Sequence, residues 1–385
     1  MTDLFVPRDR TWAEIDLDNL EYNYRSIRAH LRPGTRFLGV VKADAYGHGA
    51  VPVAKTLEEI GCEYLAVATV WEAIDLREHG IALPILILGY TAPEHTALML
   101  QYDITASVSE YTAAVAMSEI AQAKGAPLKV HLKADSGMGR LGFVCHDGAD
   151  PSEAMAKIMA LPGLSVEGIF THFAVSDVPG DPFTAAQYRD FTALIERLEA
   201  MTGQKFKIKH CVNSGAVINY IELQMDMIRP GIALYGLYPA ADRGEIELHP
   251  VMEMKTRVVQ IKTVDIGQSV SYGRNFIADT RRTVAVLPIG YADGLHRVLS
   301  GRIDVLVRGR RARQIGNICM DMCMVDITGI SDVAVGDVVT IFGKDGDTFI
   351  SVDELAEKAG TISYELLCSV SKRIPRVYIR GGVTI

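Results

Sequence analysis

The chain has 385 residues, enough for two domains or for one large barrel with an appended unit. Apolar residues make up 49% and charged residues 22%, the balance of a folded α/β protein. A formal net charge of −8 disfavours nucleic acid as a partner, and the one dense basic patch, RGRRAR at 308–313, reads as a solvated turn between strands.

In chain order, eight short apolar runs predict strands: FLGVV (37–41), YLAVATV (64–70), PILILGY (84–90), ITASVS (104–109), LKVHLKAD (128–135), VEGIFTHF (166–173), KIKHCVN (207–213) and MIRPGIALYG (227–236). Segments with helical spacing lie between most of them. The clearest are AVPVAKTLEEIGC and AAQYRDFTALIERLEAMTG, the second closing on Gly203. Eight parallel βα units predict a (β/α)8 barrel over residues 1–242, with an open doubly wound sheet as the alternative. From about residue 250 the runs MKTRVVQIKTV, RRTVAVLPIGYA, RIDVLVRGRRARQIG, CMVDI and DVVTIFG crowd together between Gly and Asp turns, with one helical stretch, SVDELAEKAG. A smaller, mainly β domain is expected over 243–385.

The six cysteines are scattered, with neither a metal-type CxxC pair nor a disulfide framework, so they read as reduced thiols and no metal is expected. The start, MTDLFVPRDR, has no secretion-signal pattern, and IALPILILGY is short and broken by Pro84. A cytoplasmic protein without a membrane partner is expected.

Barrel enzymes place their chemistry at the C-terminal ends of the strands. There the runs carry Lys42 after the first, Lys133, Asp135 and Arg140 at the fifth, and His172 at the sixth. Asn213 and Ser214 end the seventh, and Arg229 with Gly231 belong to the eighth. A lysine closing a buried strand either exits into water or is a desolvated amine held for covalent chemistry with a carbonyl. GMGRLG (137–142) formally matches GxGxxG, but it follows the fifth run and leads into a turn rather than a helix. It reads as glycines that let the backbone pass close to a bound group beside Arg140. VNSGA (212–216) and RPGIA (229–233) are small-residue turns on neighbouring strands, either plain helix caps or a phosphate cradle. A lysine facing such a cradle points to an imine with a phosphorylated aldehyde cofactor, with Tyr46 near enough to bind the phosphate.

With these residues in view, the chain resembles the alanine racemase family. VKADAYGHG (41–49) is close to that family's pyridoxal-phosphate lysine signature, and LKADSGMGRLGF, THFA, VNSGA, RPGIALYGL, VSYG, LPIGYADG and ICMD follow in the family's order. The resemblance covers essentially the whole chain. It implies pyridoxal 5′-phosphate as cofactor and interconversion of L- and D-alanine, supplying D-alanine for cell-wall peptidoglycan. It also implies a homodimer with shared active sites. By position, Lys42 would hold the cofactor covalently and act as the base for the D-isomer, and Tyr272 of the second subunit would act on the L-isomer. Phosphate contacts would fall to Tyr46, Ser214, Tyr364 and the backbone of Gly231 and Ile232. Arg140 would bind the cofactor's phenolic oxygen and the substrate carboxylate, joined by the backbone of Met320. His172 would lie against the ring and orient Arg229, Lys133 would be carbamylated to hold Arg140, and Tyr291 would line the entrance.

Three positions depart from the family's usual residues: Ser136, where Thr is commoner, and Asn317 and Met322, where Arg and Gln are often seen. The last two leave serine or other small amino acids open as substrates. Arg229 is the diagnostic residue, because a guanidinium only donates and would leave the cofactor's ring nitrogen unprotonated. That weakens the electron sink and favours proton exchange. A bland pairing of Arg229 with Asp226 is the alternative. Rival readings are a pyridoxal-phosphate amino acid decarboxylase, which would need a carboxylate at that nitrogen, a non-catalytic cofactor carrier, and a metal hydrolase built on a carbamylated Lys133.

Overall fold

The computed structural model describes residues 8, 10–239 and 244–385, so the domain boundary expected at 242 lies outside the described residues. The chain divides into two compact units, one of residues 20–45 and 50–249, the other of 1–19, 46–49 and 250–385. Among the described residues no helix is long and apolar enough to cross a membrane.

The chain's first strand, β1 (Thr11–Asp16), joins the second unit. The first unit is the parallel barrel: β2 (Arg36–Val40), β3 (Tyr64–Val67), β4 (Ile85–Ile87), β5 (Ile104–Val108) and β6 (Leu128–Asp135) come first, with a two-residue β7 (Phe143–Val144) beside β6. β8 (Leu164–Phe170), β9 (Ile208–His210) and β10 (Met227–Ile228) follow. β2 to β6, β8 and β9 pair in parallel in that order, β7 pairs only with β6, and β10 pairs with β2. Between β9 and β10 the Asp226 amide donates to the Lys209 carbonyl (3.0 Å) and the Arg229 amide to that of Val212 (2.9 Å), which closes the ring. All eight predicted runs are therefore barrel strands. They were legible because a parallel strand is buried on both faces, so Ile-Leu-Ile of β4 and Ile-Thr-Ala-Ser-Val of β5 are buried without interruption. Amphipathic helices cover the outside. The longest, Pro182–Thr202, starts on an Asp181 cap with proline in its first turn and stops at Gly203 (φ 67°), the C-cap that the sequence predicts.

The second unit is built on a mostly antiparallel sheet. Its order is Gln260–Val264, Arg282–Leu287, Cys323–Asp326, Arg310–Ile315, Asp304–Val307, Val338–Asp345, Met252–Arg257, β1 and Arg376–Arg380. RGRRAR is the expected turn only at Arg308 (φ 51°) and Gly309 (φ 73°); its remaining residues open the strand Arg310–Ile315, where Arg311 and Arg313 pair with Glu354 and Asp304. Two elements here were not expected. β1 pairs with Met252–Arg257 and Arg376–Arg380, partners too distant in sequence to signal it. A second helix, Ser363–Ser369, lies beyond SVDELAEKAG and carries Tyr364.

Candidate active site

Lys42 leaves the first barrel strand half-buried and opens a turn whose next four residues, Ala43 to Tyr46, have φ of 53 to 55°. Left-handed helical backbone costs about 1–2 kcal/mol per non-glycine residue, so this turn is strained and must be held. In the barrel unit Glu72 holds it. One carboxylate oxygen accepts from the Ala43 amide (2.7 Å), while the other caps the helix Val70–Glu78 through Ala68 and Thr69 (2.8 and 3.1 Å). Asp44 accepts from the Ala50 amide across the turn (2.8 Å). In the second unit the Tyr46 and Tyr364 rings lie 6.2 Å apart, and burial, then the neighbouring Tyr364, raises the buried Tyr46 phenol's pKa. Gly47 packs on the helix that carries Tyr364, where a Cβ would stand 2.3 Å from the Leu367 carbonyl.

Within the barrel unit, Lys133 at the end of β6 is buried, donates to the Leu88 carbonyl (3.1 Å) and lies 5.3 Å from the Phe170 ring centre. Burial, followed by the charges of Arg140, Arg229 and Lys42, pushes its pKa down to about 8, with only Asp135 pulling the other way. Asp135 is itself committed. Its carboxylate accepts from the Gly137, Gly139 and Arg140 amides at 3.0–3.1 Å, and these bonds outweigh burial and keep its pKa below the ordinary value. This corrects the expectation for GMGRLG. The loop wraps the chain's own carboxylate, and Gly142 (φ 134°) sits where a Cβ would come within 2.7 Å of the β6 backbone at Ala134 and Asp135. Arg140 is exposed at its tip.

Arg229 is buried, and its partners are neutral: His210 Nδ1 at 2.8 Å and the carbonyls of Thr171 (2.7 Å) and Cys211 (3.1 Å). Burial, then the charge of Arg140, lowers its pKa to about 10, which leaves it protonated at neutral pH. The pairing with Asp226 does not form, because that carboxylate accepts from the Lys209 amide (2.8 Å). The imidazole bonded to Arg229 is His210 and not, as expected, His172. His210 lies on β9 and reaches the guanidinium directly, whereas His172 stands 3.5 Å from the Asn213 amide nitrogen. Burial, then Arg229, Arg140, Lys133 and Lys42 in that order, holds His172 well below the ordinary histidine pKa.

The two small-residue turns meet through a hydroxyl. Asn213 caps Ser214–Asn219 by accepting from the Ala216 amide (3.0 Å), and Ser214 Oγ accepts from the Gly231 (2.8 Å) and Ala233 (3.3 Å) amides. Ile232, between those amides, is buried. In the second unit Tyr272 is 73% exposed on a tight turn in which Ser271, Gly273 and Arg274 all have positive φ. Asn317 braces that turn: its Nδ2 donates to the Tyr272 carbonyl (2.8 Å), its Oδ1 accepts from Asn275 (3.2 Å), and its carbonyl accepts from Ser271 Oγ (2.6 Å). Tyr291 and Met320 are exposed on two loops joined by the Tyr291 amide to the Cys319 carbonyl and the Ala292 amide to the Met320 carbonyl, both 3.0 Å. Beneath them the buried Asp293 binds the Gly290 amide (2.9 Å), Arg10 (3.1 Å) and Arg373 (2.8 Å). Met322 is exposed beyond Met320.

Glu72, His131 and His210 were not marked out by sequence reasoning, and Asn317 stood out there only as a departure from the family's usual residue, not as the brace of Tyr272. Glu72 had a signal, the Thr69–Glu72 capping-box spacing. The two histidines sit inside apolar strands and gave none. In the barrel unit the charges of Arg140, Arg229 and Lys42 act on Lys133 and that of Arg140 on Arg229, and the carboxylate beside them, Asp135, is already occupied by backbone amides. Such a donor set fits an anion: a phosphate, a phenolate and a carboxylate can each find a partner in it. Ser214, with two amides donating into its oxygen, still has its own proton to give.

Residues 15–239 match the alanine racemase N-terminal domain, and residues 251–378 match the alanine racemase C-terminal domain. The alanine racemase of Desulfosudis oleivorans is 46% identical over 379 residues, covering 96% of this chain and 97% of that one. That of Desulforamulus reducens is 44% identical, covering 97% and 100%. Among solved structures, the alanine racemase of Clostridium difficile superposes with a TM-score of 0.92 at 40% identity over 97% of both chains. The Bacillus anthracis enzyme with bound L-Ala-P gives 0.91 at 34% identity over 98% and 97%. The chain belongs to the alanine racemase family, isomerases that act on amino acids.

Proposed function

We propose that this enzyme interconverts L- and D-alanine with pyridoxal 5′-phosphate by a two-base mechanism, as a cytoplasmic homodimer with shared sites, and that its D-alanine feeds cell-wall peptidoglycan. The single observation that carries the reading is Arg229: charged, buried and bonded to an imidazole and two carbonyls, with no carboxylate among its hydrogen-bond partners. The cofactor, when bound, supplies an electron-withdrawing ring that acidifies the α-proton of an attached amino acid. Arg229 can only donate to its ring nitrogen. A decarboxylase of this architecture would need an acid there, so the same observation disfavours that rival.

Lys42 Nζ would carry the covalent attachment and exchange the α-proton of the D-isomer. The phenolic oxygen of Tyr272 from the second subunit would exchange that of the L-isomer. Tyr46, Tyr364, Ser214 and the backbone of Gly231 and Ile232 would hold the phosphate, and His172 would lie against the ring. Arg140 and the Met320 backbone would hold the substrate carboxylate, with Tyr291 at the entrance. Lys133 is the residue to carry a carbamate. A neutral amine adds carbon dioxide and releases one proton, and a pKa of about 8 leaves an appreciable neutral fraction at physiological pH. The product anion would pair with Arg140 and relieve the crowding of positive charge.

Borohydride reduction of the holoenzyme followed by peptide mapping tests the reading: the cofactor is expected on Lys42. Solvent deuterium should enter the α-position of both alanine isomers in the wild type. In Tyr272→Phe it should enter D-alanine but scarcely L-alanine. Label on another lysine, or equal exchange of both isomers in Tyr272→Phe, would overturn it.

A further inference from the structure

Three polar side chains form a line inside the barrel of which the reaction above uses one end. Arg229 Nη1 is 2.8 Å from His210 Nδ1, and His210 Nε2 is 2.9 Å from His131 Nδ1. Both imidazoles are completely buried. Because a guanidinium only donates, His210 Nδ1 must be the bare, accepting nitrogen. Neutral His210 then carries its proton on Nε2 and donates it to His131 Nδ1. His131 in turn keeps its proton on Nε2, which meets no acceptor among the described residues. The arginine thus sets the direction of every hydrogen bond in the line.

The surroundings keep both rings neutral and fixed. Burial first, then the Arg229 charge, holds His210 well below the ordinary value and His131 at about 3. Phe170 stacks on His210 with ring centres 4.9 Å apart and planes 11° from parallel. Gly168 lies against His131, where a Cβ would come within 2.7 Å of Cε1 and Nδ1. Fold stability does not account for the pair, since a buried polar line ending on an unsatisfied N–H is less favourable than apolar side chains of the same shape. What it does supply is an acceptor of fixed orientation for a buried guanidinium whose other partners are two carbonyls.

We propose that His131 is a positioning residue for racemisation: by accepting the His210 Nε2 proton it locks that ring and leaves Nδ1 to aim Arg229. The proposal rests on the reading of Arg229 as donor to the cofactor's ring nitrogen. In His131→Phe the acceptor is lost, and His210 must either bury an unsatisfied donor or turn its proton toward Arg229. In His131→Asn the amide oxygen stands near the place of Nδ1 and keeps the acceptor.

The test is histidine ¹⁵N NMR on the holoenzyme and its variants, with the visible absorption of the bound cofactor and steady-state kinetics beside it. Wild type should show His210 and His131 both neutral and both protonated on Nε2. His131→Phe should show a population of His210 protonated on Nδ1, a changed cofactor absorption, and a kcat lower by roughly tenfold with KM within about twofold. His131→Asn should restore kcat to within about twofold of wild type. A wild-type His210 protonated on Nδ1 would overturn the proposal even if the Phe variant does not fold. So would a His131→Phe enzyme with unaltered His210 signals and absorption. Arg229→Lys separates the two readings. If it leaves the cofactor absorption unchanged, the role of Arg229 itself fails. If it changes that absorption while His131→Phe does not, only the role of His131 fails.

Discussion

A buried cation usually sits beside a carboxylate, and Arg229 sits beside neutral groups. Its charge is offset by directed dipoles, which makes its position sensitive to the tautomers around it. The same dependence on neutral imidazoles gives a pH signature. His131, His172 and His210 all have lowered pKa values in the folded chain, whereas in the unfolded chain they take up protons near pH 6.5. Below that pH the unfolded state binds more protons, so stability falls as pH falls, by about 1.4 kcal/mol per pH unit for each such group. The contribution of His131 runs from 6.5 down to about 3. Denaturant unfolding of His131→Asn between pH 6 and 4 should therefore show a pH slope shallower than wild type by about that amount; an equal slope would mean that His131 is charged in the fold. A second single-residue effect belongs to Asn317, which donates to the carbonyl of Tyr272 (2.8 Å). Asn317→Asp removes that donor. Losing about 1 kcal/mol of support should slow deuterium entry into L-alanine roughly fivefold and leave D-alanine unchanged.

Turns and strands differ in how much of them the sequence discloses. The barrel strands and the helix ending at Gly203 could be read because their burial and capping are local properties of the segment. The turn after Lys42 could not. Ala-Asp-Ala-Tyr has no glycine, yet φ is 53 to 55° throughout, held by Glu72 from outside the turn and by the bond from the Ala50 amide to the turn's own Asp44. β1 went unread for a related reason, since its pairing partners lie near residues 254 and 377. The strain is measurable. Ala43 is exposed, so Ala43→Gly relieves its left-handed backbone without a loss of packing and should raise the unfolding free energy by about 1 kcal/mol. Gly142→Ala should do the opposite, because its Cβ would meet the β6 backbone at 2.7 Å. The loop around Asp135 would shift, and the KM for alanine should rise through Arg140 several-fold. Unfolding curves and initial rates check both.

For the whole molecule, residues 15–239 and 251–378 match the two domains of one family, which shows what kind of enzyme the chain is; the proposed sharing of the site between two subunits is the part that demands a test. The residues that the family resemblance assigns to catalysis fall on separate units, Lys42 in the barrel and Tyr272 in the β unit. Tyr272, Met320 and Met322 are exposed hydrophobic side chains of that second unit. The motif lysine and its order relative to VSYG were legible in sequence; the bracing of Tyr272 by Asn317 was not, since their 45-residue separation carries no pattern. Mixing inactive Lys42→Ala and Tyr272→Phe subunits, after dissociation and reassociation, tests the shared two-base site most directly. Each mixed dimer would hold one site with both native bases, so an equimolar mixture should regain about a quarter of wild-type racemase activity. A mixture that stays as inactive as its parents, with mixed dimers shown to form, would contradict it.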